Sequence, residues 1–242
     1  MKFKKIVGFG DSWMWGDELL DPALKNLPDA HPVQIENLVY RESHCFLGLL
    51  GKHYGVPVEN FGIPGGSLQS SIWTYLWWLE NEVSDTQDCL VLVALTCPDR
   101  QSFYNPGHIS YANDLPWNRF IHSGWVHSGN TTIRPEWLAM VKQHTVLTDC
   151  VEFRRLNYRQ SVLFFAGQKH STAATVQFNS MKPCMKLDHP TLLWPSGGLA
   201  DLLMEHPDYS ELIAPQGHPN EKGHEIIRDM LIPEIDCVIL SK

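Results

Sequence analysis

Leu90-Val91-Leu92-Val93-Ala94-Leu95 places six apolar residues in a row, with no polar position between them. A strand with one wet face alternates; a strand covered on both faces need not, so this run suits the interior of a parallel sheet. Two shorter apolar stretches precede it. Residues 6–9 end in Gly10-Asp11-Ser12, and residues 56–61 close in Gly62-Ile63-Pro64-Gly65-Gly66. Between these two, residues 36–53 carry Leu38, Cys45, Leu49 and Leu50 at near-helical spacing, with Gly55 as the stop. Ser67 suits the N-cap of a further helix reaching about Glu82, with Trp73, Leu76, Trp77 and Leu79 on its apolar face. Strand, helix, strand, helix, strand within 95 residues predicts a βαβαβ unit and an α/β fold.

Downstream the pattern loosens. Residues 98–135 are punctuated by Pro98, Pro106, Gly107, Pro116, Gly124 and Gly129, and read as a long loop or insertion carrying Trp117 and Trp125. Residues 136–168 look helical, with Leu138, Val141, Leu147, Val151 and Leu156 inward. Residues 174–178 suit a fourth strand, residues 183–210 are mixed, and a last helix follows His218-Pro219-Asn220 to about Leu231. No repeat or linker divides the chain, which reads as one domain over 1–242.

Composition narrows the function. The 19 basic and 27 acidic residues leave a net charge of −8, and no basic run exceeds a pair. Nucleic-acid binding is not expected, because neutralising phosphates takes clustered Lys and Arg. No stretch of 18 apolar residues exists to span a membrane, and the Lys-rich start meets Asp11 too soon for a signal sequence. A cytoplasmic location is the expectation. The six cysteines form no C-x-x-C pair and read as small buried residues; no metal or other cofactor is expected.

Ser12 follows the first strand at its carboxyl end, the edge where open parallel sheets bind ligands. It suits a nucleophile, a phosphate contact or a plain helix N-cap. Two alternatives fail on the letters. Gly8-Phe9-Gly10 begins a dinucleotide fingerprint, but Trp13 stands where the third Gly belongs. The G-x-S-x-G elbow fails too, with Asp11 and Trp13-Met14 around the serine.

Three blocks stand in order: Gly10-Asp11-Ser12, then Asn60-Phe61-Gly62-Ile63-Pro64-Gly65, then His218-Pro219-Asn220. Together they resemble the SGNH (GDSL-type) hydrolase family. The resemblance covers about 25 residues and their order. It implies a three-layer α/β/α sandwich with a central parallel sheet, flavodoxin-like, and cleavage of an acyl or acetyl ester on a sugar, lipid or other small molecule. The chemistry can be argued residue by residue. A serine hydroxyl needs a base to remove its proton, and His218 can be that base. The Ser12 N–H and, by resemblance, the Gly65 N–H form the oxyanion hole. Asp11, Asn60 and Gln216 support the site, Asn60 by bracing its turn. Trp13, Thr96 and Arg100 are candidate substrate contacts; rings with a polar edge suit sugar faces and acyl chains alike.

Two departures mark this chain. Where the family carries an oxyanion Asn after its third strand, Thr96-Cys97-Pro98-Asp99-Arg100 puts Pro98, which has no N–H. Where it carries an Asp three positions before the His, Pro215 stands. A backbone carbonyl, Gln216, Glu211 or Asp208 is left to orient the imidazole, so a Ser–His dyad or triad is expected. The same departures motivate the alternative of a catalytically degenerate binding or assembly protein. Oligomeric state is not legible.

Overall fold

The structure is a computed structural model. It describes residues 3–25, 35–81, 86–98, 100, 102–104, 125–127, 151–168, 172–183 and 185–240. Four parallel strands form the central sheet: β1 (Lys5–Gly10), β2 (Val58–Gly62), β3 (Cys89–Leu95) and β6 (Ala174–Asn179), in the order β2-β1-β3-β6. Register is continuous, with Val7 beside Glu59 on one side and Val91 on the other. A two-stranded antiparallel pair, β4 (Ser102–Tyr104) and β5 (Trp125–His127), interrupts the segment expected to be one long loop. The rest of 98–135, Trp117 included, lies outside the described residues apart from Pro98 and Arg100.

Helices cover both faces, giving the three layers that the motifs imply. Among the described residues they are, in chain order, α1 (Ser12–Trp15), α2 (Leu38–His44), α3 (Phe46–Tyr54), α4 (Leu68–Asn81), α5 (Val151–Gly167), α6 (Leu199–Met204), α7 (Tyr209–Leu212) and α8 (Glu221–Leu240). The apolar run of β3 is shared between two cores. Leu90, Leu92 and Ala94 pack with Phe46, Leu47 and Leu50 of α3 and Ile227, Leu231 and Ile235 of α8. Val91, Val93 and Leu95 pack on the other side, with Tyr75 and Trp78 of α4 and Tyr158, Val162 and Phe165 of α5. Period-two geometry sends successive side chains to opposite faces, and both faces are dry, so every position is apolar.

Several expectations shift. Residues 36–53 are two helices, broken at Cys45, whose extended backbone (φ −66°, ψ 155°) starts α3 afresh. Val151 and Leu156 of α5 face outward; its buried side includes Asn157 and Ser161. The part of that helix expected before 151 lies outside the described residues. The last helix passes through Pro233 and runs to Leu240. Of the cysteines, Cys45 and Cys89 are buried as expected, Cys97 is half-buried, Cys237 is exposed, and Cys150 and Cys184 lie outside the described side chains. No helix among the described residues is long and apolar enough to cross a membrane.

Candidate active site

Four strand ends meet at the carboxyl edge of the sheet. At the end of β1, Asp11 caps α1: its carboxylate accepts the Trp13 N–H at 3.1 Å. Ser12 is therefore the first helical residue, and an N–H in that position has no partner within its own helix. Asp11 also accepts from the Ser180 hydroxyl at 3.2 Å and lies 3.7 Å from the Arg100 guanidinium. Buried at 2% exposure, it ties together the ends of β1, β3 and β6.

At the end of β2, the Asn60 side chain bonds backbone on both sides of the turn. Its side-chain amide donates to the Met14 carbonyl at 2.8 Å, and its oxygen accepts the Gly62 N–H at 2.9 Å. The Ile63 N–H donates to the Gly10 carbonyl at 2.9 Å, which locks the second block to the first. Gly65 adopts φ +70°, a left-handed conformation that favours glycine.

At the end of β3, Thr96 is buried and accepts from Arg100 Nη1 at 3.0 Å. The Pro98 carbonyl accepts from the side-chain amide of Asn157 at 2.8 Å, so this loop is anchored to α5. Pro98 itself offers no donor. Trp13 is 6% exposed and belongs to the core, which leaves it little surface for a ligand. Trp78 of α4 is likewise core, at 1%.

The chain's far end completes the cluster. Ile213 and Pro219 pair across a short antiparallel bridge, closing a loop in which the Ala214 N–H donates to the His218 carbonyl at 2.8 Å. This loop delivers His218 Nε2 to 2.9 Å from the Ser12 hydroxyl oxygen, across 206 positions of sequence. Ser12 is only 4% exposed, and the His218 side chain 19%.

The imidazole's other nitrogen meets a residue that sequence reasoning missed. His218 Nδ1 lies 3.1 Å from Glu18 Oε2. The same carboxylate accepts two backbone N–H groups, from His218 at 3.0 Å and from Gln216 at 2.8 Å. Gln216 therefore meets Glu18 through its backbone, and its side chain is not what meets the ring. Glu211 pairs instead with Lys222 at 3.1 Å. Glu18 sits at φ +65°, a left-handed conformation that costs a non-glycine residue of order 1–3 kcal/mol and persists only where surroundings enforce it. Asn37 supplies that enforcement next door: its side chain donates to the Leu19 carbonyl at 2.7 Å and accepts the Asp21 N–H at 2.8 Å. The only sequence signal was an acidic pair, Asp17-Glu18, behind a helix-stopping Gly16.

A carboxylate only accepts hydrogen bonds, so the Glu18 contact assigns the ring proton to Nδ1 and leaves Nε2 free to accept from Ser12. A hydroxyl beside an unprotonated imidazole nitrogen, largely removed from water, can be deprotonated as it attacks an electrophile.

No family model matches this chain, and no curated protein matches it. Among solved structures, it is similar to a lipase/acylhydrolase from Enterococcus faecalis (14% identity over 96% of this chain and 95% of that one, TM-score 0.43). It is also similar to Axe2, an acetylxylan esterase from Geobacillus stearothermophilus (12% identity, 97% and 96% covered, TM-score 0.47). A third is LAE5, an alpha/beta hydrolase from the metagenome of Lake Arreo, Spain (15% identity, 97% and 96% covered, TM-score 0.48).

Proposed function

We propose that this chain is a serine hydrolase of SGNH type that cleaves an acyl or acetyl ester of a small molecule or glycan. The observation that carries the reading is the 2.9 Å approach of His218 Nε2 to the Ser12 hydroxyl at the carboxyl edge of a parallel sheet. Ser12 Oγ attacks the ester carbonyl carbon while its proton passes to His218 Nε2. The carbonyl oxygen becomes an oxyanion and takes hydrogen bonds from the N–H groups of Ser12 and Gly65. One such donor is worth about 3–4 kcal/mol to the barrier. The intermediate collapses, the leaving alcohol takes the proton from His218, and an acyl-serine remains. Water, deprotonated by the same imidazole, then attacks the acyl carbon; the bond to Ser12 Oγ breaks, Oγ takes the proton back from His218, and the acid leaves. No cofactor enters this scheme.

With Pro98 in place of a side-chain donor, the hole has two N–H groups, and Arg100 is a cation beside the serine's block. It holds Thr96 and stands 3.7 Å from Asp11, with 26% of its side chain exposed. We assign it the rim, against a polar part of the substrate.

The test is hydrolysis of p-nitrophenyl acetate by the wild type, Ser12→Ala and His218→Ala, together with fluorophosphonate labelling read by intact mass. Turnover and stoichiometric labelling that both vanish in Ser12→Ala support the reading. Equal turnover in all three proteins removes both residues from the mechanism. Pro98 and Pro215 favour a second reading, a binding protein on the same fold, and the absence of any labelling of the wild type would select it.

A further inference from the structure

We infer that Glu18 is the positioning carboxylate of His218, supplied from the serine's own turn and not from the loop that carries the histidine. This inference rests on the hydrolase reading above. Three donors converge on this one side chain, and both of its oxygens are used. Oε2 accepts from the His218 ring and from the His218 backbone, and Oε1 from the Gln216 backbone. The side chain is 9% exposed, so little water competes for these contacts. Among the described residues Asp17 is the other carboxylate paired with the ring, but its oxygen lies 3.8 Å from Nε2, the nitrogen that faces Ser12. It therefore cannot fix the Nδ1 proton. Pro215 occupies the position from which an acid three residues ahead of the histidine would act, and Glu18 reaches the ring nitrogen from the opposite end of the chain.

Two consequences follow for catalysis. The carboxylate holds the tautomer in which Nε2 is the acceptor, and it opposes the positive charge that develops on the ring as Ser12 attacks. It also fixes the ring's direction, because the same oxygen grips the backbone of the residue whose ring it orients. The left-handed backbone at Glu18 is what turns its side chain toward the histidine loop, and the Asn37 clamp on residues 19 and 21 holds that backbone in place.

The experiment compares the wild type with Glu18→Ala and Glu18→Gln. Turnover of p-nitrophenyl acetate is measured beside the ring ¹⁵N shifts of His218, which report the tautomer whether or not the protein turns over. We expect kcat in Glu18→Ala to fall by about 10²- to 10⁴-fold with KM within about threefold. Alongside it, the ring should lose its exclusive Nδ1–H form. Glu18→Gln keeps the shape but sets an amide NH₂ against a backbone donor, and should fall between the two. It serves as the readable variant if Glu18→Ala does not fold. Turnover within twofold of wild type overturns the inference. So does a loss of activity with the Nδ1–H tautomer intact, since that would make Glu18 a loop tether alone. A wild type without esterase activity would count against the hydrolase reading, and the ¹⁵N shifts would still decide for or against Glu18.

Discussion

His224 Nδ1 accepts the backbone N–H of Phe46 at 3.1 Å, joining α8 to the start of α3 in the middle of one core. The ring is fully buried, and its Nε2 has no hydrogen-bond partner among the described residues.

That arrangement makes stability depend on pH. Burial first, and the nearby His218 second, lower the His224 pKa from 6.5 to about 3. The unfolded chain takes up a proton near pH 6.5, while the folded ring stays neutral until about pH 3. Stability therefore rises with pH across this window; it is fully present above about 6.5 and drains away as pH falls. At pH 5 the loss is about 2 kcal/mol for this one group. In His224→Asn the amide oxygen can still accept the Phe46 N–H, and nothing titrates. The drop in urea stability between pH 7 and pH 5 should shrink by that amount. An unchanged drop would show that the ring is protonated in the fold.

Gly62 packs against the backbone of α1, the short helix that Ser12 begins. A Cβ added there would lie 2.4 Å from the Trp15 backbone nitrogen and 2.8 Å from its Cα. Backbone cannot rotate aside as a side chain can, so α1 must move and carry Ser12 with it. Gly62→Ala should cost about 1–3 kcal/mol of stability and lower turnover further than that loss of fold alone explains. Gly167→Ala is the control, because its Cβ meets nothing within 4 Å. Equal behaviour of the two variants would sink the prediction.

Arg41 is 2% exposed, with its guanidinium carbon 3.7 Å from the centre of the Trp15 ring. Its Nε and Nη1 are buried without hydrogen-bond partners among the described residues, and burial lowers its pKa to about 10. A buried cation short of partners stabilises less than a well-packed apolar chain of similar length. Arg41→Met should leave the thermal midpoint unchanged or raise it. A fall equivalent to more than about 1 kcal/mol would mean that the stacking on Trp15 outweighs the cost of desolvation.

The layers were legible because they rest on periodicity. The apolar run at 90–95, the glycine stops and the Ser67 cap all report local geometry, and Ser67 Oγ does accept the Ser70 N–H at 3.1 Å. The limits of helices were less so. Cys45 breaks a helix without a Gly or Pro to announce it, and Pro233 does not end one. Asn60 could be read as a brace since Asn side chains bond nearby backbone by habit. Glu18 could not. Its partners are 198 and 200 positions away, and an acidic residue in a turn carries no mark of a contact that only the closed fold creates. Gln216, a candidate to orient the imidazole, meets Glu18 by its backbone N–H for the same reason.

The Ser12 hydroxyl and the Glu18 carboxylate sit on one stretch of seven residues, tied to the sheet by the Asn60 bond to Met14, while Asn37 holds Leu19 and Asp21 just beyond it. Two of the three groups thus share one short segment, and the third, the His218 ring, arrives on the separate 214–218 loop. A molecule that wedges beneath that loop would part the ring from both oxygens without ever touching the serine.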